Sequence, residues 1–353
     1  MSALEPTTES APFSGTAATS SAMRRPGVRA LLDRQDHAAR PWLRIAAAWV
    51  VALIALGAYL FAFVAGPWEF AFSLRWPTAG AILVASFTQA LATVVFHTVT
   101  DNRILTPSIM GFDSLFVLLQ TVLVTVFGGM ILTDLEGIPM LLAQTGLMVV
   151  FAVALYRWLF SGTFGSMHVL LLVGVVIGMA FSSLSTFLER LLHPTDYDLL
   201  SVELFGRITD VDPSYLPLAF GVCVAAGIYA WLRRHTLDAL LLGREAALGI
   251  GVEHRREMTR ALILIAVLVS FSTALVGPLT FFGFVIATLA YQLTGTYRHA
   301  AVVPMATALG VIALAGGQFV LQHVFYAAGF LTTIIEFVGG ALFLILLLKR
   351  RTL

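Results

Sequence analysis

The chain has 353 residues, of which 59% are hydrophobic and 12% charged, with a formal net charge of +1 and a mean hydropathy of +0.90. Soluble domains carry about 25% charged residues, so this composition excludes an ordinary soluble globule and points to an integral membrane protein. The near-zero net charge offers no basic surface for nucleic acid. The single cysteine, Cys223 in an apolar run, rules out a disulfide framework or a cysteine metal site and reads as packing.

Residues 1–40, ending "MRRPGVRALLDRQDHAAR", form a Ser/Thr/Ala/Pro-rich stretch followed by scattered Arg. Such a segment is too polar to bury a core, and the expectation is a disordered cytoplasmic tail. A secretory leader would put a short apolar run near the start. Here the first run begins at Trp42 and is long enough to stay as a span.

Crossing the hydrocarbon core takes about 20 mostly apolar residues as a helix. Ten segments of the remaining chain, 41–353, qualify: Trp42–Val64, Ala79–Val99, Gly111–Leu132, Met140–Phe160, Val169–Leu188, Leu216–Leu232, Met258–Val276, Pro278–Leu293, Ala301–Leu321 and Leu331–Leu348. None alternates with period two, so helices rather than barrel strands are predicted. The seventh and eighth are joined by little more than "VGP", which predicts a tight hairpin. Of 21 Lys and Arg residues only Arg75, Arg190 and Arg207 fall outside when the N-terminus is placed inside, so both termini are expected in the cytoplasm. The outer segment from Glu189 to Pro213 holds six acids and two Arg; it reads as a solvated loop rather than a metal site.

Between the sixth and seventh spans lies "LLGREAALGIGVEHRREMTRAL", charged and punctuated by glycine. Residues 238–248 are expected to form a short helix, interrupted at Gly249 and Gly251, before a second helix runs into the seventh span. Two short cytoplasmic elements at an angle, with the small Ala246 and Ala247 between them, suit docking of a partner; the plainer alternative is a loop whose Arg residues only set topology.

Several chemistries are missing. With one lysine, Lys349, preceded by "LILLL", no Walker A loop can be drawn. The "LAGGQ" of residues 314–318 sits inside an apolar span and reads as a small-residue helix contact. His97 lacks a nearby acid or Cys and reads as a packing residue; no catalytic triad, HExxH or paired catalytic carboxylates occur in a plausible setting, so the chain is not read as an enzyme. Glu336, in "FLTTIIEFVGG", is an acid within a span, where an ionised carboxylate costs about 2.5–3.5 kcal/mol. It either lines a path or handles protons, or sits as a neutral group bonded between helices, or lies near enough to the surface to be hydrated.

These residues carry a resemblance. "LGREAALGIGV" is similar to the coupling-helix motif of the permeases of type II ABC importers for ferric siderophores, haem and cobalamin, with Leu242, Gly243, Glu245, Ala247, Gly251 and Val252 matching and Ile250 replacing the usual Leu. "GPLTFFGFVIATLA" resembles the motif that follows, through Gly277, Pro278, Phe281 and Gly283, although the family's Pro-His pair falls on Ala287 and Thr288. "NRILTPSIMGFD", with Asn102, Pro107 and Gly111, is closest to the ferric-siderophore branch. The likeness covers about Leu74 to Lys349.

It implies an all-α permease of about ten transmembrane helices, built like the cobalamin importer permease, in the bacterial cytoplasmic membrane. It also implies partner ATPase subunits that carry ATP and Mg, a second permease subunit, identical or homologous, and an extracytoplasmic binding protein that delivers a ferric siderophore; haem or cobalamin are alternative cargoes. In "LRWPT", Arg75 keeps one of the family's two binding-protein docking charges and Thr78 replaces the other. Relatives line their path with the fifth and tenth spans, which here places Gly178, Ser182, Ser185, Thr186 and Glu336 as candidates, small-residue packing being the alternative for the fifth span. A competing class is a proton-coupled carrier using Glu336, although no internal repeat supports it.

Overall fold

The computed structural model describes residues 41–64, 66–103, 105–130, 137–161, 167–205, 207–209, 211–325 and 330–350; the expectation of a disordered tail at 1–40 lies outside them. Twelve α-helices follow in order: α1 (Pro41–Phe61), α2 (Trp68–Thr100), α3 (Phe112–Phe127), α4 (Ile138–Ser161), α5 (Met167–Glu189), α6 (Pro194–Phe205), α7 (Leu216–Leu240), α8 (Arg244–Gly249), α9 (His254–Val276), α10 (Phe282–Thr294), α11 (His299–His323) and α12 (Leu331–Arg350). Among the described residues there is no strand. Seven helices, α1, α2, α4, α5, α7, α9 and α11, are long and apolar enough to cross a membrane, and α3, α10 and α12 are shorter apolar helices. Each of the ten segments expected from the sequence falls on one of these ten.

At the centre is α2, whose most apolar window is 89% buried against 17% for α1. Its sequence explains the position. Ala81, Ala85, Ser86, Ala90, Ala92 and Thr93 are all fully buried, and small side chains let neighbouring backbones approach closely. Gly310 of α11 lies over Ser86, Gly283 of α10 over Thr93, and Leu216 of α7 against Gly80. The hydroxyls of Thr88, Thr98 and Thr100 donate to carbonyls one turn back, at 2.8, 3.0 and 2.8 Å, so none is left facing hydrocarbon unpaired.

Two predicted spans are shorter than expected. α3 has 16 residues and α10 has 13, roughly 24 and 20 Å at 1.5 Å per residue, below the ~30 Å of the hydrocarbon core. The 3₁₀ turn Pro107–Met110 precedes α3, and Met110 and Gly111 already lie against Gly174 and Gly178, half-way along α5. Residues 277–281 are likewise non-helical before α10. Hydropathy could not reveal this, because irregular backbone at depth is tolerated where protein buries it, and Gly277, Pro278 and Leu279 are buried.

The acidic outer segment, though largely exposed, is not an irregular loop. It contains α6, whose Leu200 and Leu204 are buried, and it descends against α3. Asp196 accepts from the Gly129 amide at 2.9 Å, Gln120 Nε2 donates to Glu203 at 3.1 Å, and Thr332 at the start of α12 donates to the Phe205 carbonyl at 3.0 Å. Two acids that read as free surface in sequence order, Asp196 and Glu203, are therefore bonded to the turn after α3 and to α3 itself.

On the opposite end, polar side chains tie the helices together. The Glu257 carboxylate receives Arg233 of α7 and Arg260, the latter at 2.6 Å. Asp238 accepts from the His299 amide at 2.9 Å and meets its Nδ1 at 2.6 Å, and His299 Nε2 lies 3.0 Å from the Thr98 hydroxyl. That joins α7, α11 and α2. Arg103 stacks over Tyr297 at 3.9 Å, an arrangement that favours a cation on an aromatic face. His97 is buried, with Nε2 2.9 Å from the Leu105 carbonyl, which agrees with its reading as a packing residue.

Candidate functional site

The segment between α7 and α9 folds more compactly than its sequence suggests. Asp238 belongs to α7, which continues to Leu240, so the short helix is Arg244–Gly249 alone. Its breaks are Gly243 and Gly251 rather than Gly249, which is the last residue of α8. The Val252 amide donates to the Ala247 carbonyl at 2.9 Å and the Gly251 amide to the Leu248 carbonyl at 3.0 Å. This crossed pair is the Schellman termination. It demands a left-handed residue, and Gly251 has φ +84°, a conformation in which a side chain would be strained.

The consequence is a small knuckle with an inner and an outer face. Ala247 is fully buried and Val252 half-buried against the core, so Ala247 does not form part of the surface a partner would meet. Ala246 and Glu245 are exposed. Beside them Leu242, Leu248 and Ile250 are 63%, 51% and 62% exposed. Three large aliphatic side chains between residues 242 and 250 form an apolar tip among the Arg residues of this end. Fully covering one such side chain is worth about 1.5–3 kcal/mol.

A second constellation lies where the two shortened helices begin. Asp113, in the first turn of α3, is 7% exposed and accepts from the Thr273 hydroxyl of α9 at 3.2 Å and the Thr280 hydroxyl at 3.0 Å. Thr280 Oγ1 is also 3.4 Å from Glu336 Oε1 of α12. Glu336 was singled out in the sequence; Asp113 was not. The signal was present, since "MGFDSL" puts an acid inside an apolar run two residues after the motif glycine.

The remaining candidates separate by environment. Gly178 is buried in contact with Gly111, where a Cβ would lie 3.0 Å from the Gly111 Cα; its smallness serves packing of α3 on α5. Gly111 itself has φ +91° and no room for a side chain. Ser185 is buried and donates to the Phe181 carbonyl at 3.0 Å. Ser182 and Thr186 are exposed, and Ser182 donates to Ser114, the neighbour of Asp113, at 2.9 Å. So Ser182 of α5 and the Asp113–Thr280–Glu336 group meet at the same turn of α3.

Of the motif residues, Pro107 opens the 3₁₀ turn, and the Asn102 carbonyl accepts from Thr100 at 3.2 Å. Gly277 and Pro278 begin the buried turn, with Gly277 against the Leu204 carbonyl. Phe281 packs beneath Gly339 of α12.

Arg75 is bonded within its own chain. One guanidinium nitrogen lies 3.0, 3.3 and 3.0 Å from the carbonyls of Tyr59, Leu60 and Ala62. Those are the unsatisfied carbonyls at the C-terminus of α1, where a cation is favoured. Arg75→Ala is therefore expected to destabilise the permease by about 1.5–3 kcal/mol, the range for hydrogen bonds to a charged group. A lowered unfolding midpoint of the purified chain would show it. An unchanged midpoint would mean that the cap contributes nothing.

The comparisons with known proteins agree with this architecture. The FecCD transport family profile matches residues 42–350. The petrobactin import system permease protein FatC of Bacillus anthracis is 40% identical over 273 residues, 77% of this chain and 77% of its own length. The corresponding YclO of Bacillus subtilis is 36% identical over 310 residues, 88% of this chain and 98% of its own. A metal-chelate type ABC transporter solved in an inward-facing conformation shares the fold, with TM-score 0.74 and 18% identity over 88% of this chain and 99% of that one. With its whole membrane portion matched, the chain is a member of the FecCD transport family.

Proposed function

We propose that this chain is the membrane-spanning subunit of an ATP-driven importer that carries a ferric siderophore across the bacterial cytoplasmic membrane. The observation that carries the reading is the apolar tip of the α8 knuckle, where Leu242, Leu248 and Ile250 stand uncovered. A permease whose own sequence offers no Walker lysine needs an external motor, and Leu242, Leu248 and Ile250 provide the surface for one. ATP and Mg²⁺ belong to that ATPase subunit. A second permease subunit and an extracytoplasmic binding protein complete the system.

The cargo class follows from the relatives. Both FatC and YclO are named for petrobactin import, which favours a siderophore over haem or cobalamin. On this reading Ser182 and Thr186 of α5, together with α12, line the route. A polar, non-clinging wall suits passage of a large chelate, since tight binding would oppose release. The proton-driven carrier is not favoured, because the named relatives are permeases of import systems.

The test is uptake by proteoliposomes containing the permease, its ATPase and the binding protein. Accumulation of a ferric siderophore with ATP inside and no proton gradient is expected. Uptake that needs the gradient and ignores ATP would overturn the proposal.

A further inference from the structure

The Asp113–Thr280–Glu336 constellation has a proton count that does not close with two carboxylates. A threonine hydroxyl carries one proton and two lone pairs. Thr280 Oγ1 is 3.0 Å from Asp113 Oδ2 and 3.4 Å from Glu336 Oε1, so its proton can serve only one of them. The shorter contact goes to Asp113. An oxygen lone pair of Thr280 then faces Glu336, and that contact is attractive only if Glu336 brings a proton of its own.

The rest of the setting supports the same assignment. The Thr280 main chain also hydrogen-bonds Glu336, so Thr280 offers Glu336 one N–H donor and one acceptor oxygen. A carboxylic acid has the complementary pair, one acceptor and one donor; a carboxylate has acceptors only. Charge works in the same direction. Thr273 of α9 and Ser108 of the 3₁₀ turn present hydroxyls to Asp113. The charged neighbour of Glu336 is Asp113, and no Arg, Lys or His forms an ion pair with either acid among the described residues. On α6, Glu203 is engaged two turns further along α3 by Gln120. Two bare carboxylates bridged by one hydroxyl at membrane depth, without a cation, would be strongly unfavourable.

We infer that Glu336 is a neutral carboxylic acid whose proton is donated to Thr280, which donates in turn to Asp113, so that a single proton relay pins α12 to the start of α3. Asp113 and Thr280 are positioning residues: they act on α12 through Glu336. The relay complements two other contacts of α12, the Thr332 bond to Phe205 and the packing of Gly339 over Phe281, and it sits between them.

The inference does not depend on the identity of the cargo, and its test needs neither ATPase nor binding protein. Infrared difference spectra of the purified permease at neutral pH are expected to show a protonated-carboxyl C=O band that is lost in Glu336→Gln. The Gln amide offers the same donor and acceptor, so E336Q is expected to unfold at the parent's midpoint, whereas Glu336→Met and Thr280→Val unfold at lower temperature. A spectrum with no Glu336-dependent band overturns the inference. So does a band that survives E336Q and disappears in Asp113→Asn, or an E336Q midpoint lowered as far as that of Glu336→Met.

Discussion

Ile250→Asp is expected to separate the permease from its ATPase while leaving the membrane fold intact. Ile250 is 62% exposed on the C-terminal cap of α8, and its amide bond to the Ala246 carbonyl at 3.2 Å involves no side chain. Within the chain only the carbonyl end of the short α8 opposes the substitution, weakly at this exposure. At a docked surface the change removes a buried aliphatic side chain and asks a carboxylate to give up water without a partner. Together these amount to roughly 3 kcal/mol or more, on the order of a hundredfold in affinity. Titration of the ATPase subunit onto the permease in nanodiscs measures this directly, and the unfolding midpoint of the permease alone is expected to stay unchanged. The contrast is Ala247→Asp, three residues earlier on the same knuckle. Ala247 is fully buried, so there the midpoint itself should fall. Equal ATPase affinity for Ile250→Asp and the parent would remove the apolar tip of α8 as the docking surface.

How much of this was legible beforehand depends on whether a residue's meaning is local. The long spans were, since a run of about 20 apolar residues has few fates other than a transmembrane helix. The knuckle was partly legible. Gly251 marked one break, but the other was placed at Gly249 instead of Gly243, and Asp238 was misplaced, because its capture by His299 sixty-one positions away lets α7 run on. Ala247 looked like partner surface by size alone; only the helix phase set by the cap turns it inward.

The acids show the limit most clearly. Asp196 and Glu203 make an outer segment look solvated until the fold supplies the Gly129 amide and Gln120. Asp113 lies two residues after a motif glycine in plain view, yet its importance rests on Thr273 and Thr280, which are 160 and 167 positions away. Arg75 illustrates the converse. A family motif marked it as a charge for a partner, and the sequence held no sign that it also bonds carbonyls of its own chain.

The largest stability effect is expected at Gly283, where α10 crosses α2. A Cβ built there would stand 2.1 Å from Thr93 Oγ1 and 3.2 Å from Thr93 Cβ, far inside van der Waals contact. Both residues sit in regular helix, so the clash can be relieved only by turning the Thr93 side chain or by parting the helices. Overpacking of this kind costs about 1–3 kcal/mol per added group, and more when the backbone must move. Gly283→Ala should fall in that range and Gly283→Leu beyond it, read as loss of monodisperse protein and a lower unfolding midpoint. Thr93 Oγ1 is buried without a partner, so Thr93→Ala alone deletes no hydrogen bond and should change stability by less than about 1 kcal/mol. Because Thr93 Oγ1 is the atom in the way, Thr93→Ala should restore much of what Gly283→Ala loses, giving a coupling energy of about 1–2 kcal/mol in the double-mutant cycle. Strict additivity would instead mean that α2 and α10 can part without penalty at this crossing. The broken entry to α10 would then be held by the Thr280 relay and the Phe281–Gly339 contact rather than by its fit against α2.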